Sequence, residues 1–168
     1  KLCGGALSEY GLRSLDFDLP DDMIERTIRG VHLHYQEISS KVEKSYRLAV
    51  LISRYRFDHL LFQKASEAGA ETLQERKVAA VSVEKDGATV TTATGETYRS
   101  RVVIGCDGCH SVTARALPVL MDKKPLGTCI EMFVPTTEEA INTHYQDTIG
   151  IYIDVIPGGY GWVFPHRG

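Results

Sequence analysis

Hydrophobic positions change their period several times along this chain, and each change marks an element. Val31, Leu33 and Tyr35 alternate with His32, His34 and Gln36, the two-residue period of a half-buried strand. Residues 46–52 are more continuously apolar and read as a second strand. The period then lengthens. Phe57, Leu60, Leu61, Ala65 and Ala68 recur at three- and four-residue intervals, which predicts an amphipathic helix capped by Ser53 and stopped by Gly69. A short strand is expected over residues 71–76. From Val78 to Ser100 the period returns to two. Asp86-Gly87 lies between Val81-Ser82-Val83 and Ala88-Thr89-Val90, the signature of a type I′ hairpin, and Thr94-Gly95-Glu96 makes the next turn of a three-stranded meander. Val102-Val103-Ile104-Gly105 is apolar on both sides, as suits a strand buried on both faces of a parallel sheet. Farther on, residues 130–134 and 149–156 read as strands, with a short helix starting near Thr136-Thr137-Glu138-Glu139. Near the start, a Gly-rich loop (Lys1 to Gly5) precedes a short helical piece over residues 8–15. Leu19-Pro20-Asp21-Asp22 reads as another helix start, with proline early and acids in the first turn.

Composition narrows the class. The 168 residues are 43% hydrophobic and 24% charged, which permits a real core. The net charge is −3 with scattered basic residues, so the chain carries no electrostatic footprint for nucleic acid. No apolar run approaches the ~20 residues of a membrane span. With four cysteines and no visible signal peptide, reduced thiols in the cytoplasm are expected. The chain begins at Lys1 and stops at Gly168 just past an aromatic cluster, so it is read as an internal segment of a longer protein.

Three stretches offer chemistry. Gly105-Cys106-Asp107-Gly108 followed by Ser111 predicts a tight turn opening a capped helix, where an acid at a strand end faces ligands in open α/β sheets. The bland reading, Asp and Gly chosen for turn geometry, stands beside it. The same stretch matches the C-x-x-C-H haem-attachment pattern, Cys106 to His110. Its expected place at the end of a buried strand argues against haem and for two small buried thiols, and no zinc set is completed. In Pro157 to Pro165, a strand would put Tyr160, Trp162 and Phe164 on one face, with Gly158, Gly159 and Gly161 leaving bare backbone beside them. That face is a hydrophobic substrate wall or an aromatic core stripe. Cys3 in the opening loop is a reactive thiol or a small filler. His32 and His34 share a strand face, read as an exposed one.

Together these stretches resemble the geranylgeranyl reductase family of flavoproteins, within the p-hydroxybenzoate-hydroxylase-like fold. Cys3-Gly4-Gly5 is similar to the family's Cys-Gly loop. Arg54-x-x-Phe57-Asp58-x-x-Leu61 with Ala68-Gly69-Ala70-Glu71 is similar to its cofactor helix. Asp107-Gly108 with Ser111 and Ala114-Arg115 resembles the Asp-Gly motif, and Tyr160-x-Trp162-x-Phe164-Pro165 the substrate-pocket motif. The resemblance implies a mixed α+β and α/β chain: a partial FAD-binding domain with the meander (1–26 and 53–123), interleaved with a partial antiparallel-sheet substrate domain (27–52 and 124–168). It implies FAD contacts from Arg54, Val78, Asp107 and Gly108, a prenyl-lining wall of Tyr160, Trp162 and Phe164, Cys3 as the catalytic group beside the flavin, and no metal. The implied reaction reduces carbon–carbon double bonds of a prenyl chain on a lipid or pigment, with electrons from NAD(P)H or ferredoxin and peripheral membrane contact in the parent enzyme. The family's N-terminal G-x-G-x-x-G and its later Gly-Asp segment are missing from these residues, so the isolated segment is expected to hold FAD weakly and to be inactive. Two other readings stay open: an aromatic hydroxylase or halogenase of the same fold, and a non-enzymatic haem or small-molecule binding module.

Overall fold

The computed structural model describes residues 3–117 and 127–167. They form two compact units: one comprises the chain up to Ala68 and from Cys129 onward, the other Gly69–Thr128. The expected domain boundary at residues 123/124 lies outside the described residues.

The first unit contains two sheets. Strands β1 (Ala6–Ser8), β2 (Ile24–Ile28) and β5 (Ala49–Ile52) form an antiparallel sheet in the order β1-β5-β2. β5 is central and apolar, and Val50, Leu51 and Ile52 are buried. Helix α2 (Arg54–Glu67) follows directly, and its Phe57 joins Val50 and Ile52 in a core closed by Leu7, Leu12, Leu15, Leu19 and Ile24. Ser53 sits at the N-cap of α2 with extended backbone but makes no side-chain capping bond. The short helix α1 (Glu9–Arg13) is capped by Ser8, whose hydroxyl accepts from Gly11 N at 3.1 Å.

The second sheet has the order β10-β9-β3-β4, from β3 (Gly30–Tyr35), β4 (Ile38–Glu43), β9 (Thr148–Ile153) and β10 (Tyr160–Val163). β3 and β9 run parallel, so this sheet is mixed where an antiparallel one was expected. Register puts Trp162 beside Ile151 and Leu33, and Tyr160 beside Ile153 and Tyr35. Paired residues project to the same side. One face is therefore apolar and open, and Leu33, Tyr35, Ile153 and Tyr160 are all exposed on it. The opposite face carries His32, His34 and Tyr152.

Arg26 ties the unit together. Its guanidinium donates to the carbonyls of Pro165 (2.8 Å) and Gln146 (3.4 Å), to Asn142 Oδ1 (3.3 Å) and to the Glu138 carboxylate. Glu138 opens α4 (Glu138–His144), capped by Thr137, whose hydroxyl accepts from Ala140 N. Arg26 is only 10% exposed, so its bonds replace lost water.

In the second unit, β6 (Val78–Glu84), β7 (Gly87–Thr92) and β8 (Thr97–Ser100) pair antiparallel in sequence order. Glu84 faces Gly87 across the first turn, where Gly87 has φ of 153°. A four-residue helix, α3 (Val112–Arg115), follows.

Several expectations fail. Residues 71–76 form no strand, and Glu75 takes a positive φ there. Val102-Val103-Ile104-Gly105 is not a strand, and Val102 and Ile104 are exposed: an apolar run is buried only when neighbouring strands flank it, and no described strand does. Residues 130–134 are likewise irregular, with Ile130, Met132, Phe133 and Val134 exposed. Leu19-Pro20-Asp21-Asp22 yields a single 3-10 turn (Asp21–Met23) and then β2, because β-branched Ile24, Thr27 and Ile28 pair with β5.

Candidate functional site

In the first unit, Gly4 and Gly5 carry the Cys3 loop between two elements. A side chain on Gly4 would stand 2.2 Å from the Phe164 ring, and one on Gly5 would stand 2.1 Å from the Ile52 carbonyl oxygen. Gly5 also has φ of +65°, so glycine is required there. The bare backbone thus lets Phe164 lie against the loop. Cys3 sits half-buried, and Arg54 Nη1 approaches its Sγ at 3.7 Å. Arg54 opens α2 and grips Asp58 one turn along through Nε (2.8 Å) and Nη2 (3.0 Å). The Asp58 carboxylate, more than the thiol, pushes the guanidinium above its ordinary range and keeps it charged.

The expected aromatic wall is only partly a strand face. Tyr160 and Trp162 lie on β10 with ring centroids 5.8 Å apart, and both project to the open apolar face. Phe164 lies beyond the end of β10 and turns to the Cys3 loop instead. The structure therefore gathers Cys3, Arg54 and Phe164 into one cluster and sets Tyr160 and Trp162 on the sheet that leads to it.

Sequence reasoning missed two members of this cluster. His166 bonds to the Glu25 carboxylate through Nδ1 and to the Gly4 carbonyl through Nε2 at 3.0 Å. It follows Pro165 directly, one residue past the motif, so adjacency to the motif was the available signal.

The histidines on β3 occupy the more covered side of the sheet rather than an exposed face. His34 stacks on Tyr152 with centroids 4.4 Å apart, and Tyr152 OH meets Tyr145 OH at 2.9 Å. Burial, then the neighbouring His34, holds His32 below its ordinary range. Burial and the Tyr152 hydroxyl push Tyr145 up to about 12.

In the second unit, Asp107 is the organising acid. Its carboxylate accepts from Ser111 Oγ (2.6 Å), Val112 N (2.7 Å) and Thr113 N (3.1 Å), so it caps α3. The Ser111 hydroxyl and then the Thr113 amide pull it down to about 2. A depressed folded-state value adds stability above the ordinary carboxylate range and loses it as the pH falls toward about 2. An NMR titration of the Asp107 carboxylate carbon is expected to show a midpoint near 2, with Val112 and Thr113 amide shifts moving in step; a midpoint near 4 would mean the cap does not form. Gly108 beside it has φ of +76° and open space where a side chain would stand. Val78 lies at the start of β6, facing Thr92. Cys106 and Cys109 are exposed rather than buried, so burial is not what speaks against a haem at this stretch.

Among the described residues no group of three or more potential metal ligands converges, and no helix is long and apolar enough to cross a membrane.

Comparison with known proteins supplies the context. A family model described as FAD binding domain matches residues 13–157. A geranylgeranyl diphosphate reductase of Rhodobacter capsulatus is 31% identical over 99% of this chain and 43% of its own length. A digeranylgeranylglycerophospholipid reductase of Methanocaldococcus jannaschii is 32% identical over 95% of this chain and 41% of its own. The crystal structure of a geranylgeranyl bacteriochlorophyll reductase-like protein from Thermoplasma acidophilum superposes with a TM-score of 0.77 at 19% identity, covering 98% of this chain and 44% of that one. The chain thus spans about two-fifths of the length of these relatives.

Proposed function

Since this chain belongs to the FAD binding domain family, we propose that it forms part of a flavin-dependent oxidoreductase that reduces carbon–carbon double bonds of a prenyl chain. The observation that carries the reading is the Cys3–Arg54–Phe164 cluster at the end of an open apolar sheet face holding Tyr160 and Trp162. A prenyl chain offers no polar handle along its length, so it is bound by apolar area, and that face provides it.

Each residue proposed to contact FAD offers a group that FAD can use. Asp107, ionised at any physiological pH, is an acceptor for sugar-alcohol hydroxyls, and the open space over Gly108 permits close approach. Arg54 supplies a permanent positive charge, and Val78 adds backbone contacts in this reading. Bound reduced FAD would supply hydride, with its own electrons drawn from a nicotinamide or ferredoxin donor. The chain's residues would do the rest: Trp162 and Tyr160 hold the alkene, Phe164 excludes water from the Cys3 loop, and Cys3 Sγ, facing Arg54, is the protein group nearest the chemistry. Residues 27–52 and 124–168 would form the substrate portion; they contribute all four strands of the mixed sheet. Residues 1–26 and 53–123 would contribute to the cofactor portion.

Incubating the flavin-loaded parent enzyme, of which this chain forms part, with chemical reductant and a geranylgeranylated lipid is expected to yield products gaining two hydrogens per double bond, read by mass spectrometry. Cys3→Ala is expected to lower that turnover about 100-fold, the scale of a lost acid–base group. Hydroxylation of an aromatic substrate without alkene reduction would favour the hydroxylase reading, and a Soret band on the purified protein would favour a haem module.

A further inference from the structure

We infer that Glu25 and His166 form a positioning pair that fixes the Cys3 loop. The inference rests on the reading of Cys3 as the group beside the chemistry, and it concerns residues that no motif includes.

The first observation is a β-bulge. Ile24 pairs with Ile52 and Arg26 with the adjacent Leu51, so Glu25 is the extra residue between them. A bulge re-aims the side chain it carries. Here it lets two consecutive residues of β2 hold two consecutive residues of the C-terminal segment: Glu25 takes the His166 ring, and Arg26 takes the Pro165 carbonyl. Strand alternation without the bulge would send the two side chains to opposite faces.

The second observation is the donor count. His166 Nδ1 meets a carboxylate and Nε2 meets a carbonyl oxygen, and neither an ionised carboxylate nor a carbonyl donates a hydrogen bond. Both contacts are satisfied when Nε2 carries the hydrogen that reaches the Gly4 carbonyl and one proton lies between Nδ1 and the Glu25 carboxylate. The Glu25 and His166 side chains are 22% and 17% exposed, so water competes weakly for these bonds.

The third observation is what the ring grips. Gly4 O belongs to the residue after Cys3, and the His166 Cε1 atom lies 3.2 Å from where a side chain on Gly5 would begin. The loop is therefore held by Phe164 and His166 together, from the segment that also carries Trp162. The residues that present an apolar substrate thereby also fix the thiol's reach, and Arg54 meets that thiol at 3.7 Å.

The test labels thiols in the flavin-loaded parent enzyme with a maleimide and reads each cysteine by peptide mass spectrometry. Cys106 and Cys109, exposed and in the other unit, are internal references. His166→Phe keeps an aromatic ring but no donors. It is expected to raise the Cys3 labelling rate about five-fold relative to the references, the scale of one lost hydrogen bond. His166→Lys restores a side chain with several donors and is expected to bring the rate back. On a prenylated substrate, His166→Phe should lower kcat with little change in KM. An unchanged Cys3 rate in folded His166→Phe, or failure of His166→Lys to restore it, would overturn the pair. If His166→Phe unfolds, all cysteines accelerate together and Glu25→Gln decides: a rise at Cys3 alone supports the pair, and no rise refutes it. If labelling responds as expected but no prenyl turnover is seen, the positioning role stands and the proposed function falls.

Discussion

Arg26→Ala is expected to lower the unfolding free energy by about 2 kcal/mol, the scale of hydrogen bonds from a charged donor, chiefly the one to the buried Pro165 carbonyl. Four oxygen acceptors lose their donor at once: the Pro165 and Gln146 carbonyls, Asn142 and Glu138. The Glu138 share is discounted, because that side chain is 55% exposed and water can replace the guanidinium. The Pro165 share is not, because Pro165 is buried. Arg26→Lys keeps the charge but loses the planar fork, which alone reaches three elements together, so it should recover only part of the loss. Urea unfolding measures both. A loss below ~0.5 kcal/mol for Arg26→Ala, the level of an ordinary surface change, would show that the network is not a clamp.

In the intact parent enzyme, Trp162→Ala is expected to reduce kcat/KM for a prenylated substrate about 30-fold, or about 2 kcal/mol, while flavin content stays nearly unchanged. Trp162 is half-buried on the open side of its sheet, between Tyr160 and Ile151. A tryptophan enclosed in a core would cost ~3–5 kcal/mol of stability on truncation; one with a side already open should cost less. Thermal unfolding paired with turnover separates the two roles. Loss of the fold or of flavin would make Trp162 a core residue. Survival of both stability and turnover would remove it from the substrate wall.

Where sequence signals were local, they served well. The spacing of Phe57, Leu60 and Leu61 after Ser53 corresponds to α2, and Thr137 before Glu138 and Glu139 corresponds to the start of α4. Apolar runs were a poorer guide. Val102 to Gly105 and Ile130 to Val134 read like strands but are not, since a strand is defined by its partner and not by its own composition. The converse error is β4, whose residues are all exposed and whose only large apolar residues are Ile38 and Val42, although it pairs along its length with β3. The site divides in the same way. Cys3, Arg54, Asp107 and Trp162 were marked by motifs. Glu25 and His166 were not, because 141 residues separate them and neither is unusual alone.

The parallel pairing of β3 with β9 bears on how the molecule is made. Gly30 pairs with Thr148, a separation of 118 residues (148 − 30), and the whole second unit lies between them in sequence. Strands β6, β7 and β8 pair only with sequence neighbours, so on the ribosome they can close as soon as they emerge. The half-sheet of β3 and β4 must wait, with one edge unfilled and its apolar face wet, until β9 and β10 are synthesised. Slow closure of so long a loop makes that interval the time when a nascent chain is most exposed to chaperones and to mispairing.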